Sequence, residues 1–163
     1  MNKKNHIYVP IIKGKANDLK ALERLREESR NLIKPLVENL PFTFEVVDTS
    51  NSIATHLEEF AKTLNKHYPS GPVFVDFNGL MPEYGAYDYL PAVIAGYKYL
   101  KTLNRPVTPV YGFDRDDSLW PGFREIIHSF GEGFCFRILE EDVDDAENTW
   151  ARILEQIKQL EIE

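Results

Sequence analysis

Charged and amide side chains follow several short apolar runs of this sequence, at the point where each run ends. The clearest case is the segment 72–79, in which an apolar run leads to Asp76 and then to Asn78 and a glycine. A continuous apolar run bounded by turn residues is typical of a strand buried on both faces, as parallel strands are. Ligands of α/β folds bind at the carboxyl ends of such strands. Asp76 and Asn78 are therefore predicted to lie at a binding edge.

The same arrangement recurs along the chain, and it predicts that polar groups from several strands meet at one rim of a sheet. Lysine ends the first apolar run, glutamate ends the second, and an arginine lies near the end of the fifth. The candidates for catalysis are Lys13, Glu38, Asp76 and Arg137. The candidates for ligand binding are Asn78, Tyr111 and Asp114.

These residue types allow several kinds of chemistry. Two neighbouring carboxylates separate their pKa values, so that one can act as an acid and the other as a base, with Lys13 as a further base or nucleophile. Oxygen atoms of Glu38, Asp76 and Asn78 could alternatively hold Mg²⁺. Arg137 suits a phosphate or a carboxylate. Each residue also has a purely structural interpretation, as a solvated turn residue or as one partner of an ion pair at a strand end.

Composition excludes several classes of protein. The net charge of −7 over 163 residues argues against a general nucleic-acid binder, which would present a basic face. A single cysteine, Cys135, rules out an internal disulfide and a multi-cysteine zinc site. The four histidines lack the spacing of metal ligands, and neither a serine-hydrolase elbow nor a glycine-rich phosphate loop is present. The cofactor, if the protein uses one, is unknown from the sequence.

Apolar and helical periodicities alternate through the chain. Strands are predicted over residues 7–12, 33–37, 72–76, 107–113 and 134–139, with a further half-exposed strand over 42–47. Helices are predicted between them, and a long loop is expected over 80–88, which places Pro91 in the first turn of the following helix. The last helix is predicted to face inward through Trp150, Ile153, Leu154, Ile157 and Leu160.

Five repeats of strand and helix predict a single α/β domain over residues 1–163, with parallel strands joined by right-handed crossovers. An incomplete (β/α) barrel and an open doubly wound sheet both satisfy this pattern. A complete barrel needs about 250 residues, which is more than this chain has. The absence of a phosphate loop favours the incomplete barrel.

A part-barrel leaves two open sheet edges, and these predict a partner: a second copy of the chain or another protein. No apolar run reaches the about 20 residues that a membrane span requires, and the amino terminus lacks the apolar segment of a signal peptide. A cytoplasmic location is expected.

Three segments carry a resemblance to a known family. They are YVPIIKGK at 8–15, IKPLVE at 33–38 and GEGFCFR at 131–137, to which Asp76 at the end of the third strand is added. Together they resemble the "beta family" proteins of bacteria and phages. The resemblance implies a barrel-like fold, of which this chain matches the first half, and genes that neighbour mobile-element or defence genes. Together with the charged strand ends, it predicts a phage- or defence-associated protein that acts mainly by binding a partner or ligand at the rim. The alternative is an enzyme fragment or subunit with a Lys/Glu/Asp acid–base or Mg²⁺-dependent site that another chain completes.

Overall fold

Five parallel strands form one sheet, in which the spatial order of the strands follows their order in the chain. The computed structural model describes residues 8–39, 53–103, 106–131 and 133–160, with the backbone alone described for 81–88. The strands are β1 (Ile11–Lys13), β2 (Leu36–Glu38), β3 (Val73–Asp76), β4 (Val107–Gly112) and β5 (Cys135–Arg137). The helices are α1 (Ala16–Glu23), α2 (Glu27–Arg30), α3 (Ile53–His67), α4 (Met81–Thr102), α5 (Trp120–Phe130), α6 (Glu140–Asp144) and α7 (Ala146–Gln159).

This architecture confirms the predicted α/β fold with five parallel strands. A doubly wound sheet reverses its strand order at a switch point, whereas the order β1 to β5 runs without reversal. Consecutive order is the arrangement that strands have in a (β/α) barrel, so it favours the incomplete barrel of the two predicted forms. The predicted strand over 42–47 lies outside the described residues.

The two faces of the sheet carry different side chains, because successive residues of a strand point to opposite sides. One face is apolar and packs against the helices through residues such as Val37, Val75, Val107 and Tyr111, all without exposed surface. The other face carries the residues in between, which include Glu38 and the other charged residues at the strand ends. The core therefore lies between the sheet and the helices, and the charged groups lie on the opposite face.

The helices form a layer in chain order. Helix α1 packs against α3, α3 against α4, and α4 against α5. Helix α7 continues the layer, because Trp120 Nε1 at the start of α5 donates a hydrogen bond of 2.8 Å to Gln159 Oε1 in α7. In the described part of the chain, no helix combines the length and the apolar character of a membrane span.

The prediction of a loop over residues 80–88 is wrong. A 3₁₀ turn over Asn78–Leu80 leads directly into α4, which begins at Met81 and contains Pro91 in its interior. Pro82 lies in the first turn, where a missing N–H costs nothing. Packing of Tyr89, Val93 and the following turns against the core outweighs the local preference of Pro91 against a helix interior.

The predicted inward face of the last helix is also wrong in part. Ile153 and Leu160 are buried as predicted, but Trp150, Leu154 and Ile157 are 61%, 41% and 38% exposed. The buried side of α7 instead includes Thr149 and Gln156. The stripe Trp150, Leu154 and Ile157 is thus apolar but exposed in the described structure, whereas the buried stripe is partly polar.

A tyrosine hydroxyl connects the neighbouring strands β3 and β4. Pro109 in β4 has no N–H to give to the ladder, which is why proline is rare in central strands. Next to it, the Tyr97 hydroxyl of α4 donates to the carbonyl oxygen of Val75 at 2.7 Å and accepts from the N–H of Val110 at 3.3 Å. The buried phenol therefore joins β3, β4 and α4 at one point.

Replacing Tyr97 with phenylalanine is expected to lower the free energy of unfolding by about 2 kcal/mol, because a buried carbonyl and a buried N–H lose this partner while the ring packing is kept. Urea denaturation measures the change. The matched control is Tyr99→Phe, whose hydroxyl bonds the half-exposed Glu58 side chain and should matter less. Equal stability of Tyr97→Phe and the unaltered protein would contradict the bridging role.

Candidate functional site

Lys13, Glu38 and Asp76 lie side by side at the carboxyl ends of three neighbouring strands. The register pairs Lys13 with Glu38 and Glu38 with Asp76, and paired residues of a parallel sheet point to the same face. Lys13 Nζ forms an ion pair with Glu38 Oε2. The sequence-predicted neighbourhood of these three residues is therefore present at the edge where α/β folds bind ligands.

Arg137 joins this group from β5, at the opposite edge of the sheet. Its Nη1 donates to Glu38 Oε1 at 2.6 Å and to Asp76 Oδ2 at 3.1 Å, although β3 and β4 separate β5 from β2. Side chains stand roughly perpendicular to a sheet, so this contact requires the sheet to curve toward the charged face. That curvature is the one that a barrel wall has. We name Lys13, Glu38, Asp76 and Arg137 the rim cluster.

A second arginine, Arg115, binds the Asp76 carboxylate in the interior of the protein. Arg115 Nη2 donates to Asp76 Oδ1 at 2.5 Å, and neither side chain has exposed surface. Arg115 also donates to the carbonyl oxygen of Val110, and its guanidinium lies 5.6 Å and 5.5 Å from the ring centroids of Tyr111 and Phe123. This pair anchors the loop that follows β4 beneath the end of β3.

Asn78 and Asp114 adjoin the rim cluster. The backbone N–H of Asn78 donates to Asp76 Oδ1 at 2.9 Å, and its amide Nδ2 donates to Asp114 Oδ2 at 2.7 Å. Gly112 makes room for Asp114, since a Cβ atom there would lie 2.5 Å from Asp114 Oδ1. The structure thus brings both of these predicted residues to the rim, where they close the loops after β3 and β4.

Tyr111 does not join them. Its ring is fully buried on the helix face of the sheet, with ring centroids 5.0 Å from those of Trp120 and Phe123. The reason is the two-residue period of a strand, which turns Tyr111 away from the face that carries Val110 and Gly112. Burial raises the pKa of the Tyr111 hydroxyl, as expected of a core residue.

Arg115 is the member of the site that sequence reasoning missed. It follows β4 in the chain, where an arginine among three aspartates directly after a strand was the available signal. A loop arginine is solvated in most proteins, and nothing in the sequence distinguishes one that folds back beneath the strand ends.

Electrostatic interactions within the rim cluster favour the charged forms of Glu38 and Arg137. Burial raises the pKa of Glu38, but the hydrogen bond from Lys13 and the charge of Arg137 outweigh it, so the pKa lies below its ordinary value of 4.5. Burial alone would lower the pKa of Arg137, but the hydrogen bond and charge of Asp76, together with Glu38, raise it. Glu38 is therefore ionised at neutral pH, which makes it a poor general acid.

The carboxylates are fully engaged by cations. Both oxygens of Glu38 and both oxygens of Asp76 accept from Lys13, Arg137 or Arg115. Within the ranges that the structure describes, no group of three or more His, Cys, Asp or Glu side chains is arranged to hold a metal ion. A Mg²⁺ ion would have to displace the cationic side chains, so the residues present do not fit one.

Comparison with known proteins identifies the family. The family model described as Beta protein matches residues 8–163. The chain belongs to the Beta protein family. No curated protein and no solved structure matches the chain significantly. The rim cluster of this Beta protein family member therefore has to be interpreted from its own geometry.

Replacing Asp76 with asparagine is expected to destabilise the fold by about 3 kcal/mol, because the fully buried Arg115 guanidinium loses its counter-charge. Thermal or urea unfolding measures the loss. In Arg115→Met/Asp76→Leu, which removes both charges, much of the stability should return. A double variant as unstable as the sum of its two single variants would contradict this account.

Stability should depend on pH through Glu38. A carboxyl group whose pKa is lowered in the folded state adds stability above its unfolded pKa, near 4.5, and loses it as the pH falls through the folded value. The stability difference between the unaltered protein and Glu38→Gln should therefore be largest above pH 4.5 and shrink below it, as measured by urea denaturation at a series of pH values. Glu125→Gln, at an exposed position, is the control, and a difference for Glu38→Gln that stays constant with pH would contradict the prediction.

Proposed function

We propose that this protein binds an anionic group, a carboxylate or a phosphate of a small ligand or of a partner, at the rim cluster. The supporting observation is the order of exposure within the cluster. The side chains of Lys13 and Arg137 are 60% and 25% exposed, whereas those of Glu38 and Asp76 are 10% and 0% exposed. The cations face the solvent and the carboxylates lie beneath them.

Arg137 has the donors that such a ligand requires. Both of its bonds to carboxylates come from Nη1, and its Nε and Nη2 groups have no protein partner in the described part of the chain. The edge formed by Nε and Nη2 is the fork with which arginine binds a carboxylate or phosphate in a bidentate manner. Glu38 and Asp76 hold the guanidinium in place, so little side-chain entropy is lost when a ligand binds.

Acid–base or Mg²⁺-dependent catalysis, completed by another chain, receives less support from the same geometry. The carboxylates that would act as acid, base or ligand already accept from cations, and the pKa of Glu38 is lowered rather than raised toward neutrality. General acids are tuned in the opposite direction. Binding therefore accounts for the arrangement better than proton transfer does.

The test is a calorimetric titration with inorganic phosphate and with malonate at constant ionic strength. Lys13→Met and Arg137→Lys should each weaken binding about tenfold or more, since each removes a charge-assisted or bidentate contact. Lys98→Met, at an exposed lysine of α4, is the control and should bind like the unaltered protein. Equal affinity of all four proteins, or no binding by any of them, would overturn the proposal.

The phage- or defence-associated role is proposed on the family resemblance alone. Bacteria that express the protein would be challenged with a panel of phages and compared with bacteria that express Lys13→Ala. Lys13→Ala is the variant of choice, because this side chain is exposed and its removal leaves no cavity. If the role depends on the rim, the unaltered protein should change the number of plaques and Lys13→Ala should abolish that change. Identical plaque numbers in both strains and in an empty strain would contradict it.

A further inference from the structure

We propose that two copies of this chain associate head to tail, with α7 of each copy against α1 of the other, so that their two curved sheets close into one ring. This inference is independent of anion binding at the rim cluster. It starts from where the described residues expose large apolar side chains.

Those side chains occur only at the two ends of the sheet within the described ranges. Around β1 they are Tyr8, Val9, Ile11 and Leu32. Beyond β5 they are Ile138, Val143, Trp150, Leu154 and Ile157. Among the side chains that the structure describes, the three central strands and the helices over them expose none of comparable size. Apolar side chains gathered at two places of a surface indicate contact sites.

The sheet edges at these two places are also unpaired. Within the described residues, β1 pairs only with β2, and β5 pairs only with β4. An open edge offers a row of backbone N–H and C=O groups to another strand. Because all five strands run in the same direction, the β1 edge of a second copy can continue the β5 edge as a parallel neighbour. A twofold axis along the strands then satisfies both edges at once.

Charge selects this pairing over contact between like edges. Residues 13–34, beside the β1 edge, contain seven basic and four acidic residues and carry a net charge of +3. Residues 137–159, beside the β5 edge, contain three basic and seven acidic residues and carry a net charge of −4. A β5 edge therefore repels another β5 edge and attracts a β1 edge.

The outer surface of α1 carries a groove. This groove has a volume of about 410 Å³ and is lined by Asn17, Lys20, Ala21, Arg24 and Leu25. On α7 the exposed apolar stripe Trp150, Leu154 and Ile157 is flanked by Glu147 and Glu155. Lys20, Arg24, Glu147 and Glu155 have no ion-pair partner in the described part of the chain. In the described part of the chain the helix layer runs from α1 to α7, so a ring of two copies brings α7 of one copy against α1 of the other.

Such a ring would add a second copy to the rim. Lys13 at the end of β1 in one copy would lie next to Arg137 at the end of β5 in the other. The rim clusters of the two copies would then adjoin, while Glu38 of each copy remains paired with the Lys13 and Arg137 of its own chain. A second copy of the chain supplies both the complementary sheet edge and the complementary charge.

Charge-reversal variants test the arrangement by sedimentation or native mass measurement over a range of concentrations. The unaltered protein should have twice the mass of the chain. K20E/R24E gives two acidic surfaces and E147K/E155K gives two basic ones, so each variant alone should dissociate at least about tenfold more readily. An equimolar mixture of the two should recover the doubled mass, because every junction then joins opposite charges.

The control is K66E/K98E, which makes the same change in charge on exposed positions of α3 and α4 and should stay dimeric. Circular dichroism of each variant checks that the fold is kept. Three results would each overturn the proposal: a monomeric unaltered protein at all concentrations, an undiminished dimer of K20E/R24E, or a mixture that stays monomeric. The anion titration of the rim is measured separately on the same proteins, so the two proposals can fail independently.

Discussion

The carboxylate of Asp76 has no exposure to solvent, and a buried ionised carboxylate is stable only when cations and N–H groups surround it. Here Arg115 lies beneath it, Arg137 approaches from β5, and the N–H of Asn78 completes its set of donors. Because these groups come from three different strand ends, the sheet has to bend and the loop after β4 has to fold back. The curvature of the sheet and the order of the rim both depend on this requirement.

The remaining charges of the rim follow from the same arrangement. With Asp76 and Glu38 inside, their partners Lys13 and Arg137 are left toward the solvent. The chain as a whole is acidic, with a net charge of −7, yet the exposed members of the rim cluster are its two cations. Within the cluster, the burial of the carboxylates leaves the positive charges toward the solvent.

Much of this could be predicted from the sequence, because apolar runs that end in charged residues locate strand ends without knowledge of the fold. Tyr111 shows a limit of that reasoning: it lies at a strand end, but only the register shows which face it occupies. Arg115 shows another, since a loop residue that folds back under a strand leaves no periodic pattern. In the segment 80–88, proline and glycine indicated a loop, whereas the packing of the residues after it maintains a helix. The exposed stripe of α7 was predicted to be buried because hydrophobicity marks a contact surface without saying which molecule it contacts.

The hydroxyl of Tyr97 has a mechanical consequence. It ties α4 to the carbonyl oxygen of Val75, and the next residue of that strand is Asp76. A shift of α4 along its axis would pull on the backbone that carries the buried carboxylate, and through it on Arg137 and Glu38. The phenol thus adds a direct hydrogen-bonded link between the helix layer and the charged end of the sheet, so that a force applied to the outer surface of α4 would be felt on the opposite face of the sheet.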